Sequence, residues 1–243
     1  MLSLLRTGLL TALFLSLYGC AHPPWRSKAD PLEPMNRVVF AFNTVADKAV
    51  LKPVAKTYQA ITPKPARKGI RNFLDNLQSP VILANDLLQG KWKRAAQTTA
   101  RFAINSTVGL GGVLDVAKST GLEKHYEDFG QTLATKGISA GPYLVLPLFG
   151  PTNARDLVGL TVDLTLSPLS FTRFKGKQTF GRARLALNTI DRRAETLQQI
   201  DIIRKNTPDE YVSIRSYYEQ IRKDAIADGV VDVHDLPDFD LVD

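Results

Sequence analysis

The chain has a single cysteine in 243 residues, only three histidines, and no basic residue after Lys223. It also has no apolar run near the roughly twenty residues that cross a bilayer. Each shortage excludes something. One thiol, Cys20, cannot form an internal disulfide. His22, His125 and His234 have no His or Glu at ligand spacing, so no metal site is expected. Gly109-Leu110-Gly111-Gly112 lacks both the later glycine of a dinucleotide fingerprint and the Lys-Ser/Thr of a P-loop. No nucleotide is expected, and no other cofactor.

What is present begins with the segment before Cys20. Arg6, an apolar run over residues 8–17 and Leu17-Tyr18-Gly19 read as a secretory signal, 1–19, rather than a span. A cut immediately before Cys is the bacterial lipoprotein pattern, although Tyr18 is bulkier than the residue usual at that position. Cys20 is then the mature N-terminus and the lipid attachment site, bearing covalent acyl and diacylglycerol groups. Ala21 is not the Asp that retains such proteins in the inner membrane. The expected location is therefore the outer membrane of a Gram-negative bacterium, lipid-anchored on the periplasmic side.

The formal charge is +7. Seven aspartates follow Lys223, and Arg6 leaves with the signal. Residues 20–223 then hold thirty basic and seventeen acidic residues, a surplus of +13. Such a body suits nucleic acid or anionic lipid. Secretion removes nucleic acid and leaves lipid.

The pattern predicts an all-α protein: a linker over 20–29, one helical domain over 30–227 and an acidic, mobile tail over 228–243. Ser79-Pro80 and Gly90 bracket one helix, and Thr207-Pro208-Asp209-Glu210 reads as a capping box opening another. Tyr211, Ile214, Tyr218, Ile221 and Ala225 form one helical stripe. Leu187, Ile190, Ala194, Leu197 and Ile200 form a second, and Ala66, Ile70, Phe73 and Leu77 a third. All three are expected to face the core. Residues 143–149, fenced by Gly-Pro pairs, read as an extended connector or lone strand.

Residues 144–149 and 157–171 are unusually apolar. On a helix beginning near Thr152, the residues Thr152, Asp156, Gly159, Asp163 and Ser167 share one face, with leucines around the rest. An ionisable residue on such a helix faces a water-filled cavity or a partner. Asp156, Gly159 and Asp163 are therefore expected to line an aqueous channel, in short interfacial helices that do not cross the membrane. Arg155 is expected to point away from this seam. Phe42 and Asn43, in a first helix over 33–51, are candidates for gating or bracing. Gly137-Ile138-Ser139-Ala140-Gly141 fits the G-x-S-x-G elbow of esterases, but a helix is expected before it and an extended segment after it. That order is wrong for the elbow.

The motifs carry a family resemblance. Asp30-Pro31-Leu32-Glu33-Pro34-Met35-Asn36-Arg37, Phe40, Phe42-Asn43, Asn72-Phe73, Asn76-Leu77 and Leu88-Gln89-Gly90 resemble the MlaA (VacJ) lipoproteins. Arg101-Phe102, Glu127-Asp128-Phe129-Gly130-Gln131-Thr132-Leu133, Gly141-Pro142-Tyr143-Leu144-Val145-Leu146-Pro147 and Arg155-Asp156 extend it to about Asp163. The resemblance implies a helical ring lodged in the inner leaflet with a central amphipathic channel. It implies a protein of the Mla pathway that removes phospholipids misplaced in the outer leaflet, so keeping the outer membrane asymmetric. Its implied partners are phospholipids, a trimeric outer-membrane porin and a soluble periplasmic lipid carrier. No catalytic residue belongs to that picture. The competing readings are a structural envelope lipoprotein that scaffolds a porin, and a lipid hydrolase.

Overall fold

A computed structural model describes residues 30–229. Cys20, the signal, the linker and the tail beyond Gly229 lie outside the described residues. The expected all-α character holds, with one small hairpin added. The order is α1 (Glu33–Ala46), a π-helical turn (Asp47–Leu51), α2 (Lys52–Ile61), α3 (Lys64–Asn76), α4 (Ser79–Gln89), α5 (Trp92–Thr107) and α6 (Val116–Ser119). Then come α7 (Phe129–Thr135), β1 (Tyr143–Leu146), β2 (Gly150–Asn153), α8 (Ala154–Leu166), α9 (Pro168–Phe171), α10 (Lys177–Glu195), α11 (Leu197–Asn206) and α12 (Glu210–Ile226). Among the described residues, no helix is long and apolar enough to cross a membrane.

Local chemistry sets the boundaries. Gly90 ends α4 in the left-handed conformation, φ 77°, which costs a glycine nothing. The α4 N-cap is Gln78, one residue before the expected Ser79, and its side chain makes no capping bond. Asp128, Asn153 and Asp209 cap α7, α8 and α12 by accepting from the amides of Gln131, Asp156 and Val212. Asp209 thus takes the place expected of Thr207, whose hydroxyl donates back to the Ile203 carbonyl at 2.8 Å. Pro168 forces Ser167 into extended backbone and stops α8.

Residues 143–149 do not form a lone strand. β1 pairs antiparallel with β2, with Tyr143 opposite Asn153 and Leu146 opposite Gly150. The turn runs through Pro147-Leu148-Phe149, and Leu148 holds a positive φ of 66°. The missed signal was that Gly150 and Asn153 flank a strand too short to show alternation.

The core is small and divided. Ala55, Ala194 and Leu197 join α2, α10 and α11, and Tyr143, Val145 and Tyr211 join β1 to α12. Phe40 meets the Tyr211 ring edge-on at 5.6 Å. The second expected stripe supplies Ala194 and Leu197, although the chain breaks at Thr196 between α10 and α11. The third does not behave as expected: α3 buries Gly69, Leu74 and Asn76, and leaves Ala66 exposed. Ion pairs do much of the remaining joining. Asp47 accepts from Arg193 at 2.6 Å and Arg204 at 2.8 Å, and Arg71 donates to Asp191 at 2.9 Å. Burial would raise the Asp47 carboxyl, but these two guanidiniums hold it below its ordinary value.

Candidate functional site

The distribution of polarity is inverted. Among the described residues, eleven apolar residues are buried, against eighteen polar or charged ones. Thirty large apolar side chains are exposed. A water-soluble domain of this size buries its large apolar groups, so this exterior calls for an apolar environment.

α1 shows the inversion on one helix. Glu33 and Asn36 face inward, as does Asp47 in the π-helical turn that follows, while Met35, Val38, Phe42 and Val45 recur at helical spacing on the exposed side. The inward asparagines grip the hairpin. Asn36 donates to the Tyr143 carbonyl and accepts from the Val145 amide, both at 2.9 Å. One heptad along, Asn43 donates to the Leu146 carbonyl at 2.9 Å and accepts from the Leu148 amide at 2.7 Å. Two side-chain amides thereby satisfy the free edge of β1 as a neighbouring strand would. Asn43 holds the hairpin turn, whereas Phe42 is 55% exposed on the outer side of α1. Replacing Asn43 by Ala leaves the Leu148 amide without its acceptor, at a residue already in a strained φ. Amide exchange at Leu148 should then accelerate about fivefold, matching roughly 1 kcal/mol for one lost hydrogen bond. An unchanged rate would show that the turn is held by other contacts.

α8 carries the seam singled out in the sequence. Its outer side exposes Val158, Leu160 and Leu164. Asp156, Gly159 and Asp163 share one largely buried face of α8, whereas Thr152 lies in β2 and Ser167 beyond the helix end. Asp163 is only 8% exposed. Its carboxylate accepts from Asn85 Nδ2 at 2.8 Å and from the Phe129 amide at 3.0 Å. Phe129 opens α7, so Asp163 sits on a helix N-terminus, where a negative charge is favoured. Burial nevertheless pushes its carboxyl up, outweighing those two donors. Gly159 lies against Gly130 of α7, where a side chain of any size would strike backbone.

Asp156 belongs to an ion cluster. Arg222, from α12, donates to both Asp128 oxygens at 2.5 and 2.6 Å, and to Asp156 Oδ1 at 3.0 Å. Tyr218 donates to Asp156 Oδ2 at 2.7 Å. Arg155 Nε also meets Asp156, at 3.0 Å, so it does not turn away as expected. Burial favours the neutral acid at Asp156 and Asp128, yet the Arg222 guanidinium holds both carboxyls below their ordinary value. The same carboxylates favour the charged guanidinium, against burial, and raise Arg222.

These groups join a buried polar spine. Asn85 accepts from Thr132 at 2.8 Å, Gln89 donates to Thr132 and Glu127, and Glu127 accepts from Lys91 and Arg94. Lys91 and Arg94 also hold Asp228, so the acidic tail starts from a fixed point. Next to Asn85, Asp86 takes His125 Nε2 at 3.0 Å and the Thr98 hydroxyl at 2.7 Å. Asn36, Asn85, Asp86, Asp128 and Arg222 were not singled out from the sequence as site residues. An asparagine within the apolar stretch Val81-Ile82-Leu83-Ala84-Asn85 was the available signal. Ser139 lies in a loop after α7 and ahead of β1, which is the reverse of the esterase elbow.

A family model described as MlaA lipoprotein matches residues 28–225. The chain belongs to the MlaA lipoprotein family. A relative from Haemophilus influenzae, named intermembrane phospholipid transport system lipoprotein MlaA, is 33% identical over 96% of this chain and 94% of its own. One of the same name from Escherichia coli K12 is 36% identical over 88% of this chain and 85% of its own. An uncharacterised Rickettsia typhi protein is 37% identical over 81% of this chain and 78% of its own. A solved structure from work on the structural basis for maintenance of bacterial outer membrane lipid asymmetry superposes with a TM-score of 0.73. It is 36% identical, over 82% of this chain and all of its own. The inverted polarity is therefore found on an MlaA fold.

Proposed function

We propose that this chain is an outer-membrane lipoprotein that removes mislocalised phospholipids from the outer leaflet and passes them to a soluble periplasmic carrier. On this reading it maintains lipid asymmetry as part of intermembrane phospholipid transport. Acyl groups on Cys20 hold it on the periplasmic side, beside a trimeric porin, as its family likeness suggests. The observation that carries the reading is the inversion: charged and amide groups inside, Met35, Val38, Val158 and Leu164 outside. An exterior of this kind sits among acyl chains, and among the described residues no helix is long and apolar enough to cross a membrane. Dragging a zwitterionic or anionic headgroup through hydrocarbon costs many kcal/mol. A protein with a polar interior, shaped as a ring around an amphipathic channel, removes that barrier while the acyl chains remain in apolar surroundings.

The reading assigns no catalysis. Ser139 lacks the strand–turn–helix setting that activates a nucleophile.

The test is surface labelling of phosphatidylethanolamine amines with a membrane-impermeant reagent. A deletion strain should label several-fold more than its parent. The intact gene and Ser139→Ala should restore the parental level, and Cys20→Ser should not. Unchanged labelling accompanied by a detaching envelope would replace transport with scaffolding. Failure of Ser139→Ala to complement, with normal protein levels, would reinstate the hydrolase.

A further inference from the structure

We propose that the elbow joining α9 to α10 docks on anionic phospholipid headgroups, a charge-dependent membrane contact separate from the lipid anchor and from the apolar exterior. Residues 164–190 contain five basic residues and no acidic one. Elsewhere the protein pairs its arginines closely: Arg37, Arg71, Arg94, Arg101, Arg193, Arg204 and Arg222 each face a carboxylate. Arg173, Lys175, Lys177 and Arg182 make no ion pair among the described residues. Lys177 reaches only the Ser170 carbonyl, at 3.2 Å. Arg184 is a separate case, half-buried and donating to Gln78.

Aromatic rings stand among these cations. Phe171 is 72% exposed, and Phe174 and Phe180 are exposed beside each other, rings edge-on at 6.1 Å. Unpaired cations interleaved with exposed phenyl rings describe a segment lying in a headgroup layer: the rings enter the acyl boundary and the cations stay at phosphate level. Arg173, Phe174 and Lys177 line an open recess of about 460 Å³. The elbow also follows directly from the exposed Leu164 of α8, so it continues an apolar face into a charged rim.

A cation close to an anionic membrane surface strengthens binding about fivefold, so neutralising three should weaken the contact on the order of a hundredfold. The inference rests on the membrane setting of the proposed function. Its test involves no lipid transfer, so the two fail separately. Thr179→Cys in the acylated protein, whose native thiol is blocked, carries a polarity-sensitive probe. The labelled protein is placed in vesicles of phosphatidylcholine alone or with 30% phosphatidylglycerol. In anionic vesicles the emission should shift to the blue, and 0.5 M salt should reverse most of the shift. Arg173→Gln/Lys175→Gln/Lys177→Gln should abolish it while leaving the melting temperature unchanged, because all three side chains point to solvent or half-exposed backbone. Equal emission in the two vesicle types, or a full shift in the triple variant, would overturn the proposal. A salt-sensitive shift in pure phosphatidylcholine would overturn it as well, assigning the elbow to the chain's own acidic tail. So would a shift that requires added porin, which would assign the elbow to protein.

Discussion

Gly159→Ala should destabilise the protein by more than about 3 kcal/mol, although alanine is the better helix former by roughly 1 kcal/mol. The reason is contact, not propensity. A Cβ at position 159 would lie 2.7 Å from the Gly130 Cα and nearer still to the Gly130 nitrogen. Both are backbone atoms of α7, so no rotamer relieves the overlap and the two helices must part. Parting them exposes the Asp163 carboxylate to the loss of the Phe129 amide, and pulls Asp128 and Asp156 away from Arg222. Thermal unfolding should show a fall of about 6 °C or more for a domain of this size. Gly181→Ala in α10 is the internal control, since nothing lies within 4 Å of its added Cβ. That variant should gain up to about 1 kcal/mol. Equal behaviour of the two variants would remove the close α7–α8 contact from the account.

Much of this was legible in the chain. Helix-period stripes and Pro/Gly punctuation carried the all-α class and the end of α4 at Gly90, because those signals are local. The face shared by Asp156, Gly159 and Asp163 was also legible, since helical spacing alone fixes it. Its orientation was not. Periodicity reports that one side differs from the other, and in a protein with a polar interior the apolar side points outward. The stripe Ala66-Ile70-Phe73-Leu77 went astray for the same reason: α3 turns Gly69 and Asn76 inward instead. Partners were the second loss. Asp163 meets a helix N-terminus 34 residues away and Asn85 78 residues away, separations that no spacing rule encodes. Asp128 and Arg222 lie 94 residues apart and illustrate the same limit. The hairpin was hidden differently: its free edge is completed by Asn36 and Asn43 on a helix, so no third strand existed to be read.

Arg222→Met should cost about 3 kcal/mol at pH 7, and the cost should shrink on acidification. Methionine keeps most of the stem volume and removes the charge that three elements share: the α7 cap Asp128, the α8 residue Asp156, and α12 itself. Removing one partner of a buried pair leaves a charge in poor solvent, typically worth 3–5 kcal/mol. The lower end applies here. Asp128 retains access to water, with 36% of its side chain exposed, and Asp156, at 9%, keeps Arg155 and Tyr218. The pH dependence follows from the direction of the shifts. With Arg222 present, both carboxyls sit below their ordinary value, so their stabilisation is complete above the unfolded carboxylate range and disappears as pH falls through the folded values. Without the guanidinium the main group that lowers both carboxyls is gone, so the variant has less stabilisation to lose on protonation than the wild type. The gap in unfolding free energy between wild type and Arg222→Met should therefore narrow from pH 7 toward pH 4. Asp163, raised by burial but held down in part by the Arg222 charge, rises further in the variant, which narrows the gap in the same direction. Denaturant unfolding at pH 7, 5.5 and 4 measures the gap. A gap that stays constant or widens toward pH 4 would mean that Arg222 acts through packing of its stem, not through the two carboxylates it bridges.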